Sequence, residues 1–291
     1  MIRTLLFALL TLPGRLPFRW RRFCGRLLGD VGRFVATRRR KIAARNLQMA
    51  LPELTAAKRE KLVREHFHKL GESFMDELWM TTVPARRLQE LAVVENAGAL
   101  SSQTPPRGAI LLMPHFAGMN IAGAVLHLEA GGVMALYRPM HIAFWEAFFL
   151  RLRGWHGTKM TSAKDKDALR RCINHLRGGG KLIYLPDIDA KRGKSSVFAP
   201  FLAVQNAATY GNIGRIAKAG AADILPCLVT MTGQKYYVNI GGAMRCGESL
   251  QQNAAALNAV VGGHIRACPA AYYWLHRRFK TRPPGEANPY Q

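Results

Sequence analysis

His115 has the residue type and the position that proton-transfer chemistry requires. It lies in the stretch "LLMPHFAGMNIAG", residues 111–123, where an apolar run stops and a turn of small residues begins. The neutral imidazole of histidine can take a proton from a hydroxyl near pH 7. A lone histidine is as often structural as functional, but this one is followed by Gly118 and by the polar Asn120. The pattern therefore predicts a functional histidine between a strand and a helix.

The elements that must position His115 follow from the alternation of the chain after residue 108. Short apolar runs alternate with helical patterns, and this order predicts an α/β fold with a mostly parallel central sheet flanked by helices. The predicted strands lie at 109–113, 133–137, 181–185, 223–229 and 236–240, and the predicted helices near 119–130, 143–154, 164–177, 209–220, 249–267 and 270–278. Ligands of open α/β sheets bind beyond the carboxyl ends of strands, where His115 lies. Thr55 is expected to cap a further core-packing helix that runs to about Met80.

The charge of the chain is unusual for a globular protein. Lys and Arg number 42 against 18 Asp and Glu, for a net charge of +24. A field of this size attracts nucleic acid, anionic lipid or an acidic partner protein, and charge alone does not choose among them. No recognisable nucleic-acid-binding motif accompanies it, so we expect no nucleic acid partner.

The N-terminal segment predicts association with a membrane. Residues 1–18 begin like a signal peptide but lack a cleavage site, so we expect the segment to be retained, and Leu5–Leu12 is too short to cross a bilayer. Residues 20–35 place apolar side chains at steps of three and four and arginines between them. This pattern is typical of a basic amphipathic helix in the interface of an anionic membrane. The alternative is a helix docked on its own domain.

Several other chemistries lack the residues they need. The five cysteines are scattered without metal-ligand spacing, and the chain has no G-x-S-x-G nucleophile elbow. Asp187 and Asp189 could hold a divalent metal, although two acids are a minimal ligand set. We therefore predict no metal and no bound organic cofactor.

Six stretches, in order and spacing, resemble a known family. They are "RRRKIAARNLQMALPEL" (38–54), "PHFAGMN" (114–120), "LYRP" (136–139), "YLPDIDAKRGKSSVFAPF" (184–201), "AAT" (207–209) and "YYWLHRRFKTRPPGE" (272–286). With these stretches the sequence resembles, over nearly its whole length, the late acyltransferases of lipid A biosynthesis, the lauroyl and myristoyl transferases. The resemblance implies a glycerolipid-acyltransferase-like domain at 46–291, preceded by a membrane-associated segment at 1–45.

The resemblance also implies an activity and its partners. These enzymes move a fatty acyl chain from acyl carrier protein to a hydroxyl of a lipid A precursor at the cytoplasmic face of the inner membrane. Acyl carrier protein and the phosphorylated lipid are both anionic, so a charge of +24 would attract both.

The family signature is a histidine followed five residues later by Asp or Glu. By this resemblance His115 is the general base on the acceptor hydroxyl, and Asn120 replaces the acid that orients it. An amide can fix the imidazole tautomer but cannot stabilise the imidazolium as a carboxylate does. We therefore expect an active or attenuated acyltransferase in which Asn120 accepts the ring N–H of His115, and in which Asn120→Asp raises the rate.

The resemblance assigns substrate-binding roles to four further residues. Arg138 is expected to bind a substrate phosphate, with a structural ion pair as the alternative. Asp187, Arg192 and Gly193 fall in the loop that matches the family's Asp-rich segment, here "PDIDAKRG". Two other functions stay open: the same fold acylating a different hydroxylated lipid, and a non-catalytic relative that binds acyl carrier protein or lipid.

Overall fold

The computed structural model describes residues 2–100 and 107–291, with the side chains from residue 5 onward. Five helices form its N-terminal part: α1 (Ile2–Thr11), α2 (Phe18–Val35), α3 (Thr37–Ala50), α4 (Ala56–Met80) and α5 (Ala85–Glu90). The expected cap of α4 is present, because the Thr55 hydroxyl accepts a hydrogen bond from the Lys58 backbone N–H at 3.3 Å. The boundary predicted after residue 45 falls inside α3.

The rest of the described chain alternates strands and helices. In order they are β1 (Ala92–Glu95), β2 (Gly108–Leu112), α6 (Met119–Ala130), β3 (Val133–Tyr137), α7 (Ala143–Arg153), β4 (Lys159–Ser162), α8 (Ala168–Arg177), β5 (Lys181–Tyr184), β6 (Ser196–Phe201), β7 (Val204–Tyr210), α9 (Ile213–Gly220), β8 (Ala222–Thr232), β9 (Lys235–Ile240) and α10 (Leu250–Ala267). Seven strands form one sheet in the order β1-β9-β8-β2-β5-β3-β4, and only the β8–β9 pair is antiparallel. The predicted α/β class with a mostly parallel sheet is confirmed.

Strand β2 lies inside the sheet between β8 and β5, and all five of its residues are buried. Its side chains alternate between two hydrophobic clusters. Ile110 and Leu112 join the cluster that contains residues of α8 and α9, whereas Leu111 and Met113 join the cluster that contains residues of α4 and α6. Helices thus cover both faces, which is why the strand is a continuous apolar run instead of an alternating one.

Parts of the fold differ from the sequence-based expectations. The antiparallel hairpin of β6 and β7, the short strands β1 and β4 and helix α5 were not predicted. The helix expected at 270–278 was wrong, because this segment holds only a 3₁₀ turn at Pro269–Ala271. Its backbone bonds to the loop after β2 instead: the Tyr273 N–H donates to the His115 carbonyl, and the Ala117 N–H donates to the Ala271 carbonyl. A helix would have used these groups internally.

Helix α2 packs against α4 through a face of small residues. Gly25 and Gly29 lie so close to the α4 backbone that added Cβ atoms would collide with Glu72 and Phe67. Arg21 and Arg22, on the same docked side, pair with Asp76 of α4. The face of α2 that docks on its own protein is therefore made of glycines and arginines.

The opposite face of α2 is apolar and exposed. The side chains that share it are exposed by 45% to 80%, and they are Trp20, Phe23, Leu27, Leu28, Val31, Phe34 and Val35. The predicted separation of apolar and basic faces is present, but several arginines serve internal ion pairs. None of the helices in the described ranges is both long and apolar enough to span a bilayer.

Substituting Gly25 by Ala tests the close contact of the two helices. The new Cβ would lie 2.7 Å from the Glu72 Cα, so we expect the free energy of unfolding to fall by about 1–3 kcal/mol, as in other overpacked sites. Gly32→Ala on the same helix is the matched control, because its Cβ would meet only the Phe67 ring, at 3.7 Å. The control should be neutral or stabilising by up to about 1 kcal/mol. Chemical denaturation of both variants measures the difference, and equal effects would contradict the close packing.

Candidate functional site

The carboxyl ends of three neighbouring parallel strands bring the predicted site residues to one edge of the sheet. β2, β5 and β3 are adjacent in that order. His115 follows β2, Asp187 follows β5 and Arg138 directly follows β3. Since parallel strands end at the same edge, residues 72 positions apart in the chain are brought together there.

His115 and Asp187 form a two-point contact at this edge. The Nδ1 of His115 lies 2.9 Å from Oδ1 of Asp187, and the His115 backbone N–H donates to Oδ2 at 3.0 Å. An ionised carboxylate only accepts hydrogen bonds, so Nδ1 carries a proton, and in the neutral ring the lone pair is then on Nε2. The His115 side chain is 26% exposed and that of Asp187 only 1%. The pair therefore presents a basic ring nitrogen on a partly exposed ring, held by a buried acid.

The environment keeps Asp187 ionised. Burial raises the pKa of its carboxyl, but the attraction to a protonated His115 and the hydrogen bonds from the His115 ring and backbone outweigh burial, so the pKa lies below its ordinary value. An ionised Asp187 can stabilise the positive charge that His115 gains when it takes a proton. This is the electrostatic role that an amide partner cannot fill.

The segment after α10 holds the backbone of both His115 and Asp187 by hydrogen bonds. The Tyr272 hydroxyl donates to the Asp187 carbonyl at 3.3 Å, and the Tyr273 backbone N–H donates to the His115 carbonyl at 2.9 Å. Arg278 is 2% exposed and donates to the carbonyl of Ala208 at 2.6 Å. Burial lowers the pKa of Arg278, although the nearby Tyr272 and Asp187 act in the opposite direction. Sequence reasoning missed these residues as parts of the site, although "YYWLHRRFKTRPPGE" combines aromatic and basic side chains in a way unusual for a solvated tail.

Asp189 turns away from Asp187. Its backbone N–H donates to Nε2 of His276 at 2.9 Å, and its carboxylate accepts from the Thr281 N–H and hydroxyl at 3.0 and 2.8 Å. The two acids of "DID" therefore bind different partners. In the ranges that the structure describes, no three His, Cys, Asp or Glu side chains converge as metal ligands would.

Asn120 has a different partner from the one expected. It is the second residue of α6, and its side chain lies beside Glu77 of α4 and lowers the pKa of that carboxyl. Among the described side chains, the ring Nδ1 of His115 is held by Asp187 and not by Asn120. The contact expected between Asn120 and His115 is thus replaced by one between His115 and an acid 72 residues further along the chain.

The other predicted substrate residues lie in exposed places. Arg138 is exposed at the end of β3. Arg192 donates to the Arg282 carbonyl at 2.7 Å, and the Gly193 carbonyl accepts from the Ser196 N–H and hydroxyl, each at 3.1 Å. Arg192 and Gly193 therefore lie in an exposed turn between Asp187 and β6, and their roles in binding substrate stay predictions. Asp187 itself is buried, with both oxygens occupied by His115.

The chain is similar in sequence to known proteins over most of its length. A family model described as bacterial lipid A biosynthesis acyltransferase matches residues 1–281. The chain is 32% identical over 285 residues to a lipid A biosynthesis palmitoleoyltransferase of Escherichia coli (strain K12), covering 95% of this chain and 90% of that protein. It is 31% identical over 281 residues to a lauroyltransferase of the same strain, covering 94% and 89%. A myristoyltransferase of that strain is 25% identical over 277 residues, with coverage of 92% and 82%.

His66 gives a pH test of the packing behind the site. It is fully buried on α4, its Nδ1 binds the Ala270 carbonyl at 3.1 Å, and burial lowers its pKa from 6.5 to about 4. Between these values the unfolded chain holds the proton that the folded chain lacks, so stability falls as pH decreases through this window. His66→Asn keeps a donor near Ala270 but does not titrate. Relative to the variant, the parent should lose about 3 kcal/mol more free energy of unfolding between pH 7 and pH 4. Denaturation at a series of pH values measures this loss. If the free energy of unfolding of the parent and of His66→Asn changes equally with pH, the imidazole of His66 is not buried in its neutral form.

Proposed function

Because this chain belongs to the bacterial lipid A biosynthesis acyltransferase family, we propose that it transfers a fatty acyl chain from acyl carrier protein thioester to a hydroxyl of a lipid A precursor or related glycolipid. The observation that supports this reaction best is the His115–Asp187 pair at the carboxyl edge of the sheet. A nitrogen base oriented by a buried acid is what activation of a hydroxyl requires.

The proposed reaction uses both residues of the pair. Nε2 of His115 takes the proton of the acceptor hydroxyl while its oxygen attacks the thioester carbonyl carbon. The tetrahedral intermediate then loses the thiolate as the C–S bond breaks, and an ester bond has formed. Asp187 stabilises the imidazolium until His115 returns the proton to the thiolate or to water. A thiolate is a good leaving group, so the base assistance needed is modest.

Asp187 also bears on the expected attenuation by Asn120. A histidine paired only with an amide lacks a negative charge to stabilise its protonated form. Here the buried carboxylate of Asp187 supplies that charge from the end of β5. We therefore assign the orienting role to Asp187 in place of Asn120, and this supports an active enzyme.

The charge of the chain fits the proposed partners. Acyl carrier protein and a phosphorylated lipid A precursor are both anionic, and a net charge of +24 attracts both. Arg138 is exposed at the same edge as His115, where its planar guanidinium could bind a substrate phosphate in a bidentate manner.

A membrane-facing surface fits the lipid acceptor. The exposed apolar face of α2 is continued in the chain by Leu5, Leu9 and Leu12, which are 67%, 53% and 47% exposed. An unpaired apolar face on a basic N-terminal helix favours insertion into the interface of an anionic bilayer. We place the protein at the cytoplasmic face of the inner membrane, where its acyl donor and acceptor meet.

Phe34→Ser tests the membrane surface. Phe34 is 80% exposed on α2, so the variant should keep its stability but bind vesicles of anionic phospholipid about tenfold more weakly, because an inserted aromatic side chain contributes about 1.5–3 kcal/mol. Leu169→Ser is the control, since Leu169 is 52% exposed on α8, outside the apolar face of α2. Vesicle co-sedimentation measures both. Equal binding by Phe34→Ser and the parent would refute insertion of this face.

Two substitutions test the catalytic pair. His115→Ala removes the base and Asp187→Asn keeps the shape but removes the charge, so each should lower the turnover of acyl transfer by roughly 10²–10⁴-fold. Turnover is measured with acyl carrier protein thioester and a lipid A precursor. In cells lacking the gene, mass spectrometry of lipid A should show one added secondary acyl chain with the parent and none with His115→Ala. If the parent adds no chain to lipid A, the acceptor is a different lipid.

A further inference from the structure

Gly118 connects the turn after His115 to helix α4. It begins α6 in a left-handed conformation with φ of 91°, and it has no side chain to cap the helix. Its backbone N–H donates instead to the Ser73 hydroxyl at 2.8 Å. One of the unpaired N–H groups near the start of α6 is thus satisfied by a side chain of α4. The position of the turn between His115 and Gly118 depends on the orientation of that hydroxyl.

Ser73 is oriented in turn by Glu77. Since the Ser73 oxygen accepts from Gly118, its proton is free to point to Oε1 of Glu77, 3.3 Å away. Both side chains are buried, with Ser73 4% and Glu77 8% exposed. A buried carboxylate is costly unless it serves hydrogen bonds, and this one fixes the hydroxyl that holds the turn.

Glu77 also lies beside Asn120, the position where the resemblance implies an acid. The side chain of Asn120, in the first turn of α6, lowers the pKa of the Glu77 carboxyl. A carboxylate there is favoured by the positive end of the helix dipole. The amide of Asn120 can donate an N–H to Glu77, whereas an acid at 120 would bring two like charges together in a buried site.

Glu77 is therefore the one carboxylate beside position 120, and Asn120→Asp alone would place a second carboxylate next to it. The charged groups that face Glu77 are Arg153 of α7 and its neighbour Asp76 on α4. Arg153 has a buried Nε without a hydrogen-bond partner among the described residues. Burial raises the pKa of Glu77 to about 7, although Asn120, Arg153 and Ser73 act in the opposite direction.

We propose that Glu77 is a positioning residue of the acyltransferase site, which holds the turn between His115 and Gly118 through Ser73. It also places a single carboxylate beside Asn120, separate from the Asp187 carboxylate that orients His115. The inference rests on the proposed function. It changes the expectation for Asn120→Asp, which should lower the rate in the parent background and raise it only when Glu77 is neutral.

The test compares Glu77→Gln, Asn120→Asp and the double variant. Glu77→Gln should lower kcat by about 10- to 100-fold with little change in KM, because the turn that carries the base is displaced. Asn120→Asp should lower kcat more at pH 8 than at pH 6, where a proton shared between the two acids removes one charge. The double variant has one carboxylate again and should recover kcat to within about threefold of the parent. Glu129→Gln, at the exposed far end of α6, is the control and should match the parent.

A second readout needs no substrate. Hydrogen–deuterium exchange of the peptide 114–120 should be about tenfold faster in Glu77→Gln than in the parent, because the bond to the Gly118 N–H is weakened. The double variant should restore slow exchange. The exchange measurement tests the positioning role even if the acceptor of the enzyme is not lipid A.

The proposal is wrong if Glu77→Gln matches the parent in both kcat and exchange, or if the double variant is as slow as the product of the two single effects. Should Glu77→Gln prove too unstable to purify, the comparison of Asn120→Asp with the double variant decides, and equal rates overturn the proposal.

Discussion

The contact between His115 and Asp187 is the constraint on which the rest of this structure depends. It needs β2 and β5 to be neighbours in register, so that the loops after both strands meet at one edge. It also needs the carboxylate to stay ionised while buried, which the hydrogen bonds from the His115 ring and backbone secure. The segment after α10 closes this arrangement from behind, and its lack of helix follows from that task.

Helix α4 links the site to the N-terminal helices. One side of it carries Glu72 and Asp76, which pair with arginines of α2, and Tyr236 also donates to Asp76. Another side carries Ser73 and Glu77, which reach the start of α6. The same few turns of helix thus anchor the surface proposed to meet the membrane and the turn that follows His115. Burying three acids within six residues is costly unless each is paired or hydrogen-bonded.

The basic character of the chain has two separate uses. Arg21, Arg22 and Arg26 neutralise acids of α4. They therefore hold α2 to α4 and contribute less to the positive potential around the protein. Exposed cations such as Arg138 and Arg38 remain for the proposed anionic partners. Net charge therefore indicates the class of partner, whereas its distribution over the folded surface decides where that partner can bind.

Much of the fold was predictable from the sequence because the signals were local. The five predicted strands are short, mainly apolar runs, and a strand such as β2 that is covered on both faces needs no alternation. Thr55 and the small residues after His115 mark helix starts through capping and backbone freedom, which act within a few residues. The hairpin of β6 and β7 escaped prediction because its residues alternate weakly and pair with each other rather than with the main sheet.

The sequence by itself determined the α/β class, the placement of His115 at a strand end and the family. Only the tertiary structure decided which residue serves His115. Proximity in the chain favoured Asn120, five residues away, whereas the adjacency of β2 and β5 brings Asp187 to the His115 ring and Asn120 lies beside Glu77. Hydrogen bonds between residues distant in sequence depend on strand order and helix packing, and no spacing along a single chain encodes them.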